Sequence, residues 1–287
     1  SALVKMLRIY YNNKRECWKA GLRGAGELPA EGAGPARPHI RRIPMEQNAA
    51  ATLQAAEEQY KAVFEKHLAA GVRFISRDVY IDPEVEIAPG ATILPGTILR
   101  GKTVIGPDCV IGPHSLLENT AVGAGSTVNA SQVYDSRLGE KSAVGPFAHI
   151  RVGTVTAKGV HLGAFVETKN SNFGEGCAVS HLTYLGDSDV GEYCNFGCGT
   201  VTCNYDGVGK YRTEIGDYVF IGCNTNLVAP VKVGDGAYTA AGSTITGEVP
   251  AGALAVARSR QKNIEGYAAK KLTPYIAKKK KKKEEGC

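Results

Sequence analysis

Aliphatic side chains return every six residues at Ile215, Ile221, Leu227, Val233 and Ile245, and earlier at Leu138, Val144 and Ile150. The positions between them are small or turn-forming, as in Ile105-Gly106-Pro107-Asp108-Cys109-Val110 and Leu138-Gly139-Glu140-Lys141-Ser142-Ala143. This is the hexapeptide signature of a parallel β-helix. One aliphatic residue per hexapeptide points into a shared core, and glycine permits the tight turn that follows. Three such sides close one coil of about eighteen residues. Each coil then buries its apolar edge only against its neighbours. The pattern predicts an all-β solenoid with strands from about Val79 to Val256.

A different period precedes the solenoid. From about Gln47 to Ala70 the chain is rich in Ala, Glu, Lys and Leu, and Leu53, Ala56, Tyr60, Val63, Phe64 and Leu68 recur near helical spacing, which predicts one amphipathic linker helix. Residues 1–45 carry no periodic pattern and are expected to be weakly ordered. The organisation expected is therefore segment 1–45, linker helix 46–78, β-helix domain 79–267 and basic tail 268–287. A polar excursion at Asn204 to Thr213 interrupts the coils, and loops that leave a regular scaffold are natural places for binding chemistry.

Composition agrees with this. The 287 residues include 35 glycines with only 7% aromatics, which suits a glycine-turned solenoid better than a layered globule. No apolar run approaches the roughly 18 residues needed to span a bilayer, and the start carries no signal-peptide pattern, so a cytoplasmic location is expected. The first residue is serine, as in a fragment or a processed chain. The net charge of +6 is uneven: residues 1–45 and 270–287 are each +6 and the body between them is −6. The run Lys278 to Lys283 reads as a solvated, disordered tail, and no nucleic-acid partner is expected. Cys194, Cys198, Cys203 and Cys223 lack paired zinc-ligand spacing and read as small core residues.

A coil of about eighteen residues also turns spacing into a map of neighbours. Arg151 and Lys169 stack as two cations able to clamp a phosphate or another dianion. His149 stacks on Glu167, and Cys223 on Ala241, where small side chains could line a groove for a thin cofactor. His181, in His181-Leu182-Thr183-Tyr184-Leu185-Gly186-Asp187, is the general-base candidate, because an imidazole suits proton transfer near neutrality.

Several motifs occur together and in order: Gly145-Pro146-Phe147-Ala148-His149-Ile150-Arg151, Phe165-Val166-Glu167-Thr168-Lys169, the His181 to Asp187 stretch, Thr202-Cys203-Asn204-Tyr205-Asp206-Gly207, Ala253 to Arg258, and Glu265-Gly266-Tyr267. Through them the stretch from about Val79 to Tyr267 resembles the C-terminal acetyltransferase domain of the bifunctional N-acetylglucosamine-1-phosphate uridyltransferase/glucosamine-1-phosphate N-acetyltransferase family. The resemblance implies a left-handed β-helix, a homotrimer with active sites between subunits, and acetyl-CoA as donor. His181 would be the base acting on the amine of glucosamine 1-phosphate, with Glu167 orienting the site. Arg151, Lys169 and Tyr184 would hold the sugar phosphate, and Asn195 and Lys210 would complete the sugar pocket. Cys198, Cys223, Ala241 and Arg258 would hold acetyl-CoA, with Asn204 and Tyr205 where sugar and cofactor meet.

This chain departs from the family at Cys198 and Cys223, where alanine and serine are more usual. Nothing in residues 1–78 resembles the glycine-rich nucleotide loop of the uridyltransferase domain, so neither uridylyl transfer nor its magnesium is expected here. Two rivals are an acyltransferase with another acceptor on the same fold and a non-catalytic trimeric scaffold. Arg151, Lys169, Lys210 and the Asn204 to Gly207 motif favour a phosphosugar. Retention of His181, Glu167 and the cations counts against a scaffold.

Overall fold

A computed structural model describes residues 49–284. The expectation for residues 1–45 falls outside them. The linker helix is Ala49–Ala69, and it packs on the first coil at its C-terminal end rather than along a full face. Phe64 is buried, Tyr60 and Val63 are partly covered, and His67 is sealed beside them. Leu53 and Leu68, assigned to the apolar stripe from sequence, are 61% and 44% exposed. The helix ends in a cap in which the backbone N–H of Val72 donates to the His67 carbonyl and Gly71 turns at φ 90°.

The solenoid opens with the strand Arg73–Phe74, earlier than expected, and its last strand is Leu254–Ala255. All pairings between named strands are parallel, and they join each coil to the next along three faces. The beat residues seal the interior: Ile150, Ile221, Leu227 and Val233 are fully buried, and Leu138, Val144, Ile215 and Ile245 nearly so. Thr239 takes the beat position missing from the sequence pattern, buried with its hydroxyl 3.1 Å from that of Thr225 and 3.0 Å from the Gly222 N–H. Each sealed aliphatic side chain contributes about 1.5–3 kcal/mol relative to exposure.

Coil length is less regular than the sequence reading assumed. Down one face the register runs Ile98, Leu116, Gln132, His149, Glu167, Tyr184, Val201, Asn226, Thr244. The steps are 18, 16, 17, 18, 17, 17, 25 and 18 residues. Corner chemistry explains the short ones. Val152-Gly153 turns one corner with two residues, whereas in the next coil Asn170 turns it alone, at φ 49°. Asn and Asp tolerate this left-handed conformation because their short side chains bond locally. The long step contains the excursion.

Two nine-residue strands, His161–Lys169 and Ala178–Gly186, run around a corner and join two faces into one sheet. The third face is a separate nine-stranded sheet. At the far end the lysine-rich tail is not irregular: Tyr267–Glu284 is a helix, with Pro274 inside it and no buried residue. Its solvation agrees with the sequence reading and its helicity does not.

Candidate active site

The two long strands carry most of the predicted site. His149 pairs with Glu167, and Glu167 with Tyr184, so three predicted groups stand on successive coils of one face. The same register sets Arg151 against Lys169. The Arg151 side chain turns to the carboxylate beside it: one of its guanidinium N–H groups donates to Glu167 at 2.7 Å. This leaves the guanidinium fixed, with donors left over for a ligand.

Lys210 reaches this face from the excursion. The excursion folds back on itself: Tyr205 and Lys210 form an antiparallel bridge, and Asp206 accepts from the N–H groups of Val208 and Gly209 at 2.8 and 2.7 Å. Those two bonds hold the Asp206 carboxyl below its ordinary range. At its base Arg212 grips Asp189 with two bonds of 2.7 and 2.6 Å. The consequence is felt at Lys169, whose ammonium is pushed below its ordinary pKa chiefly by Lys210, with Lys210 and Arg151 charges adding to partial burial. Three cations thus crowd one patch with one carboxylate paired to the first. A dianion placed there would relieve the repulsion.

Asp187 was named within a motif but given no role. It is 7% exposed and turns a corner at φ 50°. Its two oxygens accept from Asn170 Nδ2 and Asn204 Nδ2, each at 2.5 Å. It therefore anchors the start of the excursion to the coil below. Gly186 beside it faces Lys169, and a Cβ there would meet the Tyr184 hydroxyl and, at 2.8 Å, Asn204 Nδ2. Asn119, Asp135 and Asn170 turn the same corner in earlier coils, each at positive φ, so position alone did not single out Asp187.

His181 lies at the corner between two faces, opposite Ala164, and is exposed. Its imidazole has no hydrogen-bond or ion-pair partner among the described residues. Directly along the same corner follow Cys198, Cys223 and Ala241, set by the pairs Phe196 with Ile221 and Ile221 with Thr239. All three are exposed. Cys198 and Cys223 are therefore not core residues, which corrects that part of the cysteine reading; Cys194 is buried as expected, and Cys203 is half-buried on another face. The reason is register: a cysteine two residues past the inward-pointing Phe196 or Ile221 sits on the corner and not in the core. Arg258 passes beside Gly242, 3.8 Å from where a Cβ would stand, so it borders the same column.

Asn195 stands apart. It pairs with Ala178 and Phe220, on the face across the corner from Glu167, Lys169 and Tyr184. Tyr205 is exposed, its hydroxyl donating to the Gly207 carbonyl at 2.7 Å. A hollow of about 480 Å3 on the third face, lined by Asn172, Asp189, Glu214, Lys232 and Asp235 among others, contains none of the predicted site residues. Among the described residues no helix is long and apolar enough to cross a membrane.

The hexapeptide signature is recognised independently: residues 212–247 match the bacterial transferase hexapeptide family of six repeats. Residues 75–172 match the GMPPB C-terminal domain. A protein named bifunctional protein GlmU, from Clostridium botulinum strain Langeland, is 48% identical over 212 residues, covering 74% of this chain and 46% of its own length. A protein of the same name from Clostridium perfringens strain SM101 is 55% identical over 153 residues, covering 53% of this chain and 34% of its own. Among solved structures, a UDP-N-acetylglucosamine acyltransferase from Campylobacter jejuni aligns at a TM-score of 0.39 and 16% identity, over 67% of this chain and 77% of that one. The chain spans about half the length of the first of these relatives or less. At 48% identity over 212 residues and 55% over 153, with hexapeptide repeats matched at residues 212–247, the chain is similar to part of the proteins named bifunctional GlmU.

Proposed function

We propose that the β-helix is an acetyltransferase that moves the acetyl group of acetyl-CoA to the amine of glucosamine 1-phosphate, giving N-acetylglucosamine 1-phosphate. The observation that carries this is the crowding of Arg151, Lys169 and Lys210 around the Tyr184 and Glu167 positions, one corner away from His181. Such a patch suits the phosphate dianion of an amino sugar and has no use for a neutral acceptor. The small-residue column from Cys198 to Ala241 suits the narrow pantetheine arm of CoA, with Arg258 beside its phosphates.

In this reading His181 takes a proton from the acceptor amine as the nitrogen attacks the thioester carbonyl. The tetrahedral intermediate collapses with loss of the C–S bond, and the thiolate of CoA leaves and gains a proton. Glu167 fixes Arg151, and through it the phosphate. Positioning does the remainder of the work.

The reading includes a homotrimer with active sites between subunits. Its support is Asn195: one protomer holds it across the corner from the cation patch, so as a sugar ligand it would serve the site of a neighbouring protomer. Release of free CoA by the purified chain, with glucosamine 1-phosphate, glucosamine, serine or no acceptor, tests the activity. Release with the phosphosugar alone is expected. No release with any acceptor, from a protein whose mass in solution is three times 30.3 kDa, would favour the scaffold.

A further inference from the structure

Two pairs of cysteines stack on consecutive coils, and they differ in one respect. Cys177 lies opposite Cys194 inside the core, each sealed at 0% and 1% exposure. Cys198 lies opposite Cys223 on the outer corner, and both are exposed. The outer register is fixed by ladder bonds on either side: Gly197 N–H donates to the Ile221 carbonyl at 2.7 Å, and Asn224 N–H to the Cys198 carbonyl at 2.8 Å. Both lie in the turn just after their strands, Asn195–Phe196 and Phe220–Ile221, and neighbouring strands of a sheet are about 4.8 Å apart. A disulfide accepts Cα separations of about 4.4–6.8 Å. The Cys223 sulfur also leans toward its partner's coil: a Cβ on Gly197 would lie 2.9 Å from it.

We infer that Cys198 and Cys223 are a paired modification site, oxidised by peroxides to a disulfide that staples two coils across the cofactor groove. The groove assignment rests on the function proposed above; the pairing does not. The chemistry balances with a peroxide as oxidant. One thiolate attacks the O–O bond of hydrogen peroxide, forming a sulfenic acid and releasing hydroxide, which gains a proton to become water. The second thiol attacks the sulfenic sulfur, the S–S bond forms, and a second water leaves. Two electrons pass from the two sulfurs to the peroxide.

The inner pair is the built-in control. It has the same register but no access to solvent, and each thiol donates to a backbone carbonyl of the next coil, Cys177 to Gly191 at 2.9 Å and Cys194 to Gly216 at 3.0 Å. Peroxide should spare it while the fold persists.

The test uses the full chain, reduced, then treated with hydrogen peroxide, quenched with N-ethylmaleimide and digested. A peptide joining Cys198 to Cys223, lighter by two hydrogens than its reduced parts, is expected from protein that runs as a single chain on a non-reducing gel. It should vanish in Cys223→Ser and on treatment with dithiothreitol. Separate sulfinic acids at the two positions, or chains joined to one another, would overturn the pairing. In the acetylation assay the apparent KM for acetyl-CoA should rise severalfold on oxidation and return on reduction; an unchanged KM in cross-linked, active protein would overturn the stapled groove. If the reduced protein is inactive with every acceptor, the proposed function fails while the peptide map still decides the pairing.

Discussion

His181 and Lys169 illustrate how much a single position owes to what stands beside it. His181 is exposed at a corner, without a partner among the described residues, so its removal costs the fold little and the chemistry a great deal. His181→Ala is expected to lower kcat by about 10²–10⁴-fold, the usual contribution of a general base. The melting temperature should not move; an unchanged kcat in the folded variant would remove the role. Lys169 is the opposite case, a group defined by its neighbours. Its pKa is lowered chiefly by Lys210, so in the folded protein it releases its proton at a pH where the unfolded chain still holds it. Between the lowered value and the ordinary 10.5 the unfolded state binds more protons, and stability therefore rises with pH in that window. Below the window the repulsion is fully present. Lys210→Met should bring the Lys169 pKa back toward its ordinary value and flatten that rise, read by NMR titration of the lysine ammonium groups and by melting temperature against pH.

At the scale of elements, the coil is what makes these neighbours, and coils pass a change in one strand to the next. Gly186 is the clearest place to see it. Its added methyl would meet the Tyr184 hydroxyl and Asn204 Nδ2, so Gly186→Ala displaces Tyr184, proposed above to hold the sugar phosphate, and the root of the excursion together. The acceptor KM should rise more than the acetyl-CoA KM, and equal changes in both would contradict this placement. The linker helix gives a second test. Burial, with help from Lys66, lowers the pKa of His67, and its Nε2 has no hydrogen-bond partner among the described residues. As pH falls below about 6.5 the unfolded chain takes up a proton that the folded one resists, so stability falls with it. His67→Leu should lessen that acid loss in a plot of melting temperature against pH.

The same scale shows what could be read from sequence and what could not. The inward beat was legible because a residue every six positions reports directly on which side chains meet the core. The pairs His149 with Glu167 and Cys223 with Ala241 followed from a coil of eighteen. The pairing of Glu167 with Tyr184 did not, because Asn170 turns its corner alone and shortens that coil to 17. Leu53 misled for a different reason: helical spacing shows which residues share a face, but not how far along that face the partner extends. Asp187 was missed because its work is done through Asn170 and Asn204, which are 17 residues before and after it.

Across the whole molecule, contact is nearly one-dimensional, since each coil touches only the coils above and below. The interior therefore has no redundancy at a given level, whereas an appendage beyond the last coil adds almost nothing to it. The C-terminal helix Tyr267–Glu284 is such an appendage: it carries the run Lys278 to Lys283 and buries no residue. Removing residues 268–287 takes away a helix of which no described residue is buried, a change expected to be worth within about 0.5 kcal/mol, or roughly 1–2 °C in a domain of this size. Leu185→Ala, in contrast, empties a fully buried position one coil from the cation patch. It should cost about 2–5 kcal/mol, which is several times the truncation's shift in melting temperature. The charge balance sharpens the contrast, because truncation also removes a +6 block and leaves the acidic body with less to attract it. Thermal melts of the two variants at low and high salt separate the terms. Truncation is expected to shift the midpoint little at either salt, and Leu185→Ala to shift it by the same large amount at both. A truncated chain that melts many degrees lower would mean that the basic helix is held against another copy of the protein, and its loss of stability should then grow with dilution.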